Sequence, residues 1–100
     1  FDRGYPDGST VDSEGFLWNC RWGGSCVVRF DPNGKVDRVI ELPVPNVTSC
    51  SFGGKDLKTL FITTARMGMT SEQLKNKPLA GSLFALETDF QGKPDFKFAN

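Results

Sequence analysis

Histidine is absent from all 100 residues, so the most common general base of enzymes is missing. Neither a Ser-His nor a Cys-His nucleophilic pair can be built from this chain. A structural zinc site is not expected, because Cys20, Cys26 and Cys50 lack the paired spacing of zinc ligands. Any catalysis by these residues therefore depends on carboxylates, on a metal ion, or on both.

An excess of charge of one sign is missing as well. Twelve basic and twelve acidic residues leave a formal net charge of zero, and no block of like charge occurs. We therefore expect neither nucleic acid nor an anionic membrane as a partner. No apolar run approaches the ~20 residues of a transmembrane helix. We expect a cytoplasmic protein with buried, reduced cysteines, and a Cys20–Cys26 bridge across a hairpin is the alternative.

Short β-strand patterns separated by turns dominate the sequence that is present. Glycine and Asp or Asn side chains supply the chemistry of tight turns at 12–15, 22–24, 31–34 and 53–56. Between these turns the alternating patterns predict strands at 9–12, 15–20, 25–30, 36–42, 48–52, 59–64, 82–87 and 94–98. The composition of the segments therefore predicts an all-β fold.

One short helix is predicted over residues 71–75. Thr70 can cap its first turn, Gln73 stands three residues after the cap, and Pro78 ends the run. A helix of this length cannot form a layer of the core, so we expect it to lie in an inserted loop.

An internal repeat indicates a modular fold. Residues 16–18 align with residues 59–61, and residues 27–31 align with residues 83–87. The second offset is larger because the second copy of the repeat contains the helical segment as an insertion between residues 61 and 83. Four-strand units that repeat at a period of roughly forty residues are typical of propeller blades. The sequence predicts about two blades of a β-propeller, residues 1–45 and 46–100.

Alternating hairpin connections return to the same face of such a fold. The face at the start of the first strand, where Asp7 lies, should collect residues 21–25, residues 43–46 and the long insert 65–81. Long loops on one side of a rigid scaffold are where binding sites usually occur. We therefore expect a site on this face, with the insert as its lid.

The chain resembles the C-terminal region of the gluconolactonase, regucalcin and luciferin-regenerating enzyme family, most closely its bacterial sugar-lactonase branch. The resemblance runs through ordered motifs: PDGSTVDSEGFLW, RWGG, VVRFDPNGKV, ELPVPNVTSCSFGG, LFITTAR and PLAGSLFAL. It implies a six-bladed β-propeller that hydrolyses sugar lactones. It also implies a divalent metal ion, Ca²⁺, Zn²⁺, Mg²⁺ or Mn²⁺, in the central channel.

Asp7 is the catalytic and metal-binding candidate that the resemblance supplies. In the family the aspartate of Pro-Asp-Gly is a metal ligand and a proposed proton acceptor. The other ligands and the residues that hold the sugar come from earlier blades and have no counterpart here. From spacing alone, Pro-Asp-Gly is an ordinary turn signal. With the resemblance taken into account, this chain would contribute one metal ligand, Asp7.

Four further residues are candidates for contact with substrate. Arg21 and Trp22 fall on the same face as Asp7, although Trp22 could instead pack against its own glycine turn. Thr48 and Ser49 begin the second innermost strand, where they could line the channel or satisfy backbone groups.

Family members are considerably longer than this chain. We expect a C-terminal two-blade piece whose partners are a sugar lactone and the missing N-terminal blades. Self-association is the other expectation, because three copies of two blades would close a ring by threefold symmetry. The alternative function is a non-catalytic structural or binding β-module.

Overall fold

The structure, a computed structural model, describes residues 1–93, and their strands form two antiparallel sheets. The elements are β1 Tyr5–Val11, β2 Leu17–Trp22, β3 Cys26–Phe30, β4 Val36–Glu41, β5 Val47–Gly53, β6 Thr59–Thr64, α1 Ser71–Asn76 and β7 Leu83–Glu87. The prediction of propeller blades with one short helix in an inserted loop is confirmed. The predicted strand 94–98 lies outside the described residues.

Each sheet is a simple meander. The first has the strand order β1-β2-β3-β4 and the second β5-β6-β7. The segment between the sheets, residues 42–46, contains the predicted blade boundary after residue 45. That boundary stays a prediction, since residues 94–100 of the second blade are not described.

The strand pairing shifts the internal repeat by one residue. Trp18 pairs with Thr10 in the first sheet, and Leu60 pairs with Phe52 in the second. Both Trp18 and Leu60 are fully buried. The residue equivalent to Trp18 is therefore Leu60 and not Phe61, which the sequence alignment had matched to it.

The core lies where β1 and β2 pack against β5. Trp18 is the largest fully buried side chain, and its ring makes edge contacts with Phe52 at 5.3 Å and Phe90 at 5.5 Å between centroids. Edge-to-face pairs at such distances add to the burial of apolar area. The buried side chains of this cluster are Trp18, Cys20, Val27, Val47, Cys50, Leu60 and Ile62.

A buried carboxylate, Asp12, closes the turn that follows β1. One oxygen accepts the backbone N–H groups of Glu14 at 2.9 Å and Phe16 at 3.1 Å. The other accepts the Trp18 indole N–H at 2.8 Å and a forked pair from Arg29 at 2.8 and 2.9 Å. Asp12 therefore stabilises its turn, as its Asp-x-x-Gly setting indicates, and also anchors the sheet.

Arg29 is buried almost as deeply as the carboxylate that it binds. Its guanidinium lies 3.8 Å from the centre of the Phe16 ring and 3.9 Å from that of Phe90. It also donates to Glu14 and Asp37, each at 2.8 Å. A buried ion pair offsets the cost of desolvation only when its hydrogen bonds are satisfied, and this pair meets that condition.

The helix and the cysteines agree with the sequence. Thr70 Oγ1 accepts from Gln73 N at 3.1 Å, and Gln73 Oε1 accepts from Thr70 N at 2.8 Å, so both bonds of the predicted capping box form. Among the described residues no helix is long and apolar enough to cross a membrane.

All three thiols are free and buried. Hydrogen bonding with Cys50 and burial raise the pKa of Cys20, and burial raises that of Cys26.

Replacing the buried carboxylate should destabilise the protein strongly. In Asp12→Asn the amide N–H₂ must face N–H donors in either orientation, those of Trp18 and Arg29 or those of the turn, and the charge that pairs with Arg29 is lost. We therefore expect a loss of about 3–5 kcal/mol in the free energy of unfolding, as for other broken buried pairs. Asp31→Asn is the matched control, since Asp31 only accepts turn amides, from Asn33 and Lys35. We expect it to cost about 0.5 kcal/mol or less in urea unfolding at pH 7.

The loss caused by Asp12→Asn should also depend on pH. Burial alone raises the pKa of Asp12, but the bonds from Trp18, Arg29 and the turn amides outweigh it and hold that pKa below its usual value. The stabilisation is complete above the unfolded pKa of about 3.9 and is lost as the pH falls through the lower folded value. The difference between wild type and Asp12→Asn should narrow on acidification, and a difference that widens would contradict the ion pair.

Candidate functional site

Asp7 lies within β1 and not in a turn before it, which corrects the predicted start of that strand at residue 9. Pro6 pairs with Arg21 and Ser9 with Asn19, so β1 holds one more residue than β2 over this stretch. Such a β-bulge re-aims a side chain at the end of a sheet. The Asp7 side chain is exposed, and among residues 1–93 its carboxylate takes no part in a hydrogen bond or ion pair.

Gly8 brings the bulge against the second sheet. A Cβ atom at this position would lie 2.8 Å from the carbonyl oxygen of Thr48 and 2.9 Å from both Cα and Oγ of Ser49. Real side chains do not tolerate such approaches, so only glycine allows β1 to come this close to β5. The contact places Asp7 at the same end of the fold as Thr48 and Ser49.

Asn19 supports the bulge from β2. Its Nδ2 donates to the backbone oxygen of Asp7 at 3.1 Å and to Ser9 Oγ at 2.8 Å. Its Oδ1 accepts from a terminal nitrogen of Arg21 at 2.9 Å. Asn19 is 6% exposed. Its amide therefore supplies the hydrogen bonds that water would otherwise make to Asp7 O and Ser9 Oγ. It was not among the predicted site residues, although a polar residue between buried neighbours on β2 is a signal for such a role.

Arg21 is directed into the protein. It is 7% exposed, and besides Asn19 its guanidinium donates to the backbone oxygens of Arg3 at 2.9 Å, Gly4 at 3.2 Å and Phe1 at 3.4 Å. The structure therefore brings Arg21 beside Asp7, as expected, but behind the bulge. Its contact with substrate stays a prediction.

The other three predicted residues reach the same end of the sheets. Thr48 Oγ1 bonds to Thr63 Oγ1 at 2.7 Å and to Thr63 O at 2.9 Å, so this hydroxyl is occupied by the neighbouring strand. Ser49 is exposed next to Gly8. Trp22 is half-buried, pairs with Tyr5 and forms a bridge with Asn46.

Asn46 ties the three predicted loops together. Its backbone bridges to Trp22, its carbonyl oxygen accepts from Ala65 N at 2.9 Å, and its Nδ2 donates to Met67 O at 3.1 Å. The neighbouring Pro45 O accepts from Ser25 N at 3.1 Å. Residues 21–25, 43–46 and the insert are therefore adjacent, as the hairpin argument predicts.

The insert covers a cavity of about 360 Å³ beside Asn46. Its wall combines apolar and amide side chains with one lysine, and the lining residues are Pro45, Asn46, Gly68, Met69, Gln73, Asn76 and Lys77. The sequence does not single out Asn46 or this cavity, because both arise from contacts between distant loops.

The residues present fit a metal site only as one contributor. Asp7 offers an exposed carboxylate, and Ser49 offers a hydroxyl at the same end of the fold. Within residues 1–93, no three acidic, cysteine or histidine side chains lie close enough together to hold a metal ion. Calcium takes about six to eight oxygen ligands and zinc about four ligands, so further ligands would have to come from elsewhere.

Comparison with known proteins identifies the family. The SMP-30/Gluconolactonase/LRE-like region matches residues 1–66. Regucalcin of Danio rerio is 46% identical over 84 residues, which cover 83% of this chain and 28% of that protein. The 6-deoxy-6-sulfogluconolactonase of Pseudomonas putida is 40% identical over 96 residues, covering 96% of this chain and 33% of that protein.

A solved structure agrees with the sequence relatives. Regucalcin from Agrobacterium tumefaciens, described as a calcium-binding protein, superposes with a TM-score of 0.85 at 34% identity, over 88% of this chain and 30% of that one. The chain thus spans about a third of the length of the relatives that it matches.

The close approach at Gly8 makes a testable prediction. Gly8→Ala forces β1 away from β5, and we expect it to lower the free energy of unfolding by about 1–3 kcal/mol, the usual cost of overpacking. Ser51→Ala, an exposed position on β5, is the control and should change it by about 0.5 kcal/mol at most. Equal urea midpoints for the two variants would show that the contact does not constrain the sheets.

Proposed function

Because this chain belongs to the SMP-30/gluconolactonase/LRE-like family, we propose that it forms part of a metal-dependent sugar lactonase and supplies Asp7 as one metal ligand. One observation carries the proposal: Asp7 is exposed on a bulge that protein contacts fix on both sides, and no group among residues 1–93 binds its carboxylate. A carboxylate held in this way has its oxygen atoms available for a ligand.

The proposal extends to the ring as a whole. In this proposal the two sheets are successive blades divided between residues 45 and 46, and the channel lies at the end of the fold that carries Asp7 and Ser49. The close approach of Gly8 to Ser49 supports that assignment. The remaining blades come from polypeptide outside these 100 residues or from other copies of this chain. The calcium-binding description of the Agrobacterium relative supports an oxygen-liganded cation such as Ca²⁺.

Each residue of the site has a distinct task in this proposal. Asp7 would hold the cation through its carboxylate and would accept the proton of the attacking water. Ser49 lies next to Gly8, the residue that follows Asp7, and can hydrogen-bond to a substrate hydroxyl. Trp22 and the insert limit the access of bulk water from the face that carries residues 21–25, 43–46 and 65–81. A bound divalent cation supplies Lewis-acid polarisation of the lactone carbonyl.

The relatives and the polar character of the site support a sugar lactone as the substrate class. The Pseudomonas putida relative is named as a lactonase of a gluconolactone derivative, which supports a sugar lactone as substrate. The exposed hydroxyl of Ser49 suits a polyhydroxy substrate better than an apolar ester, whereas the Thr48 hydroxyl is already bonded to Thr63.

A complete ring is needed to test these roles. Residues 1–100 can replace the matching third of the Pseudomonas putida enzyme, of which this chain covers 33%. We call this protein the hybrid propeller. Its hydrolysis of the parent enzyme's lactone can be followed by titration of the acid released.

Asp7→Asn should abolish hydrolysis by the hybrid propeller. The substitution keeps the size of the side chain and removes its charge, so we expect kcat/KM to fall by more than about 100-fold, beyond the cost of losing an outer-shell partner. Circular dichroism and the melting temperature should stay unchanged. Asp56→Asn removes an exposed carboxylate from a distant turn and should leave hydrolysis unaltered. Full activity of the Asp7 variant would overturn the proposed role.

The isolated chain should not hydrolyse lactones as a monomer. Asp7 by itself cannot bind a cation with useful affinity, because most ligands of the proposed site lie outside the described residues. The measurement is hydrolysis by the 100-residue protein at a mass established by light scattering. Turnover by a monomer would contradict the need for other blades, whereas turnover by a trimer would indicate that copies of this chain close the ring.

A further inference from the structure

We propose that Asn19 is a positioning residue for Asp7, and that Arg21 sets the orientation of the Asn19 amide. The inference rests on the proposed function, because it concerns the same metal ligand. It assigns Arg21 a role behind the site, where the sequence suggested a contact with substrate.

The amide of Asn19 lies opposite the extra residue of the bulge. Its Nδ2 bonds to the backbone oxygen of Asp7 at 3.1 Å and to Ser9 Oγ at 2.8 Å, one position on either side of Gly8. One side chain thus bridges the bulge from end to end. An extra residue in a strand loses its partner in the sheet ladder, and here Asn19 supplies that partner.

Arg21 decides which end of the amide faces the bulge. A guanidinium has donors only, so the atom of Asn19 that it contacts at 2.9 Å must be the acceptor Oδ1. Nδ2 is then directed at the Asp7 carbonyl oxygen. Were the amide reversed, two donors would meet at Arg21 and two acceptors at Asp7.

Arg21 is itself fixed by the segment that precedes β1. Its Nε donates to Arg3 O at 2.9 Å and a terminal nitrogen donates to Gly4 O at 3.2 Å. Neither Asn19 nor Arg21 is more than 7% exposed. A chain of hydrogen bonds therefore connects the backbone before β1 to the Arg21 guanidinium, the guanidinium to the Asn19 amide, and the amide to the backbone of Asp7.

The other side of the bulge is closed by β5. Gly8 leaves no room for a methyl group against Thr48 and Ser49, so the bulge cannot move outward when its bonds to Asn19 are lost without opening the contact between sheets. Asp7 is thus held from behind by hydrogen bonds and from the side by packing. Metal ligands need such support, and loss of an outer partner typically costs about 10–100-fold in metal affinity.

The test measures the affinity of the hybrid propeller for Ca²⁺ and Mn²⁺ by isothermal titration calorimetry. Asn19→Leu keeps the number and branching of the side-chain heavy atoms and removes all three bonds, so we expect the dissociation constant to rise by about 10-fold or more. Arg21→Met is the second variant, since it leaves Asn19 in place with its orientation unset. We expect a smaller rise in the same direction.

Thr88→Val is the matched control. The Thr88 hydroxyl also makes several hydrogen bonds, with Lys58 O, Phe90 O and Phe90 N, but at a turn outside the bulge. It should lower the melting temperature without changing metal affinity. A general loss of stability therefore cannot imitate the expected result.

A second readout reports the geometry without any metal. Accepting a hydrogen bond shifts a carbonyl ¹³C resonance downfield, so the Asp7 carbonyl resonance should move upfield in Asn19→Leu and stay in place in Thr88→Val. An unchanged Asp7 resonance, or unchanged metal affinity in Asn19→Leu and Arg21→Met while Asp7→Asn abolishes binding, would overturn the positioning role. Unchanged affinity in Asp7→Asn would instead overturn the proposed function.

Discussion

The burial of Trp18 between the two sheets is the constraint on which the rest of the structure depends. Its ring fills the space between β2 and the aromatic side chains of Phe52 and Phe90. Burying the indole N–H requires an acceptor, which Asp12 provides. Burying that carboxylate in turn requires a cation, and Arg29 supplies it from the next strand. One packing requirement thus sets the identity of two charged residues.

The two ends of the first sheet differ in how their charged groups are bound. At the Asp12 end the buried carboxylate of Asp12 and the buried guanidinium of Arg29 are bound by protein partners, so the network is structural. At the opposite end Asn19 and Arg21 use neutral acceptors, and the Asp7 carboxylate is left exposed, with no bond to any group among residues 1–93. Rigid support beneath an unsatisfied charged group is typical of a binding site, because the cost of ordering is met before the ligand arrives.

Local features of this fold were predictable from the sequence, and those that depend on distant contacts were not. The capping box of α1 involves residues three apart, so Thr70 and Gln73 sufficed to predict it. The bulge at Asp7 depends on the register with β2 and on the approach of Gly8 to Ser49 in another sheet. Likewise, Arg21 looked available to substrate because its acceptors are backbone oxygens, which no sequence pattern marks. The order of the hairpins therefore predicted which loops are adjacent, but the hydrogen bonds that support Asp7 were not foreseen.

The geometry of a blade limits what any one segment can give to a channel. Each sheet presents the start of one inner strand, β1 with Asp7 and β5 with Thr48 and Ser49. Thr48 already bonds to Thr63, which leaves one carboxylate and one free hydroxyl position from two blades. A cation that needs about six to eight oxygen ligands must therefore draw them from several inner strands and from water. In the proposed enzyme, metal binding thus reports closure of the ring. The precise placement of Asp7 matters because no cluster of three acidic, cysteine or histidine side chains within residues 1–93 offers the cation another site.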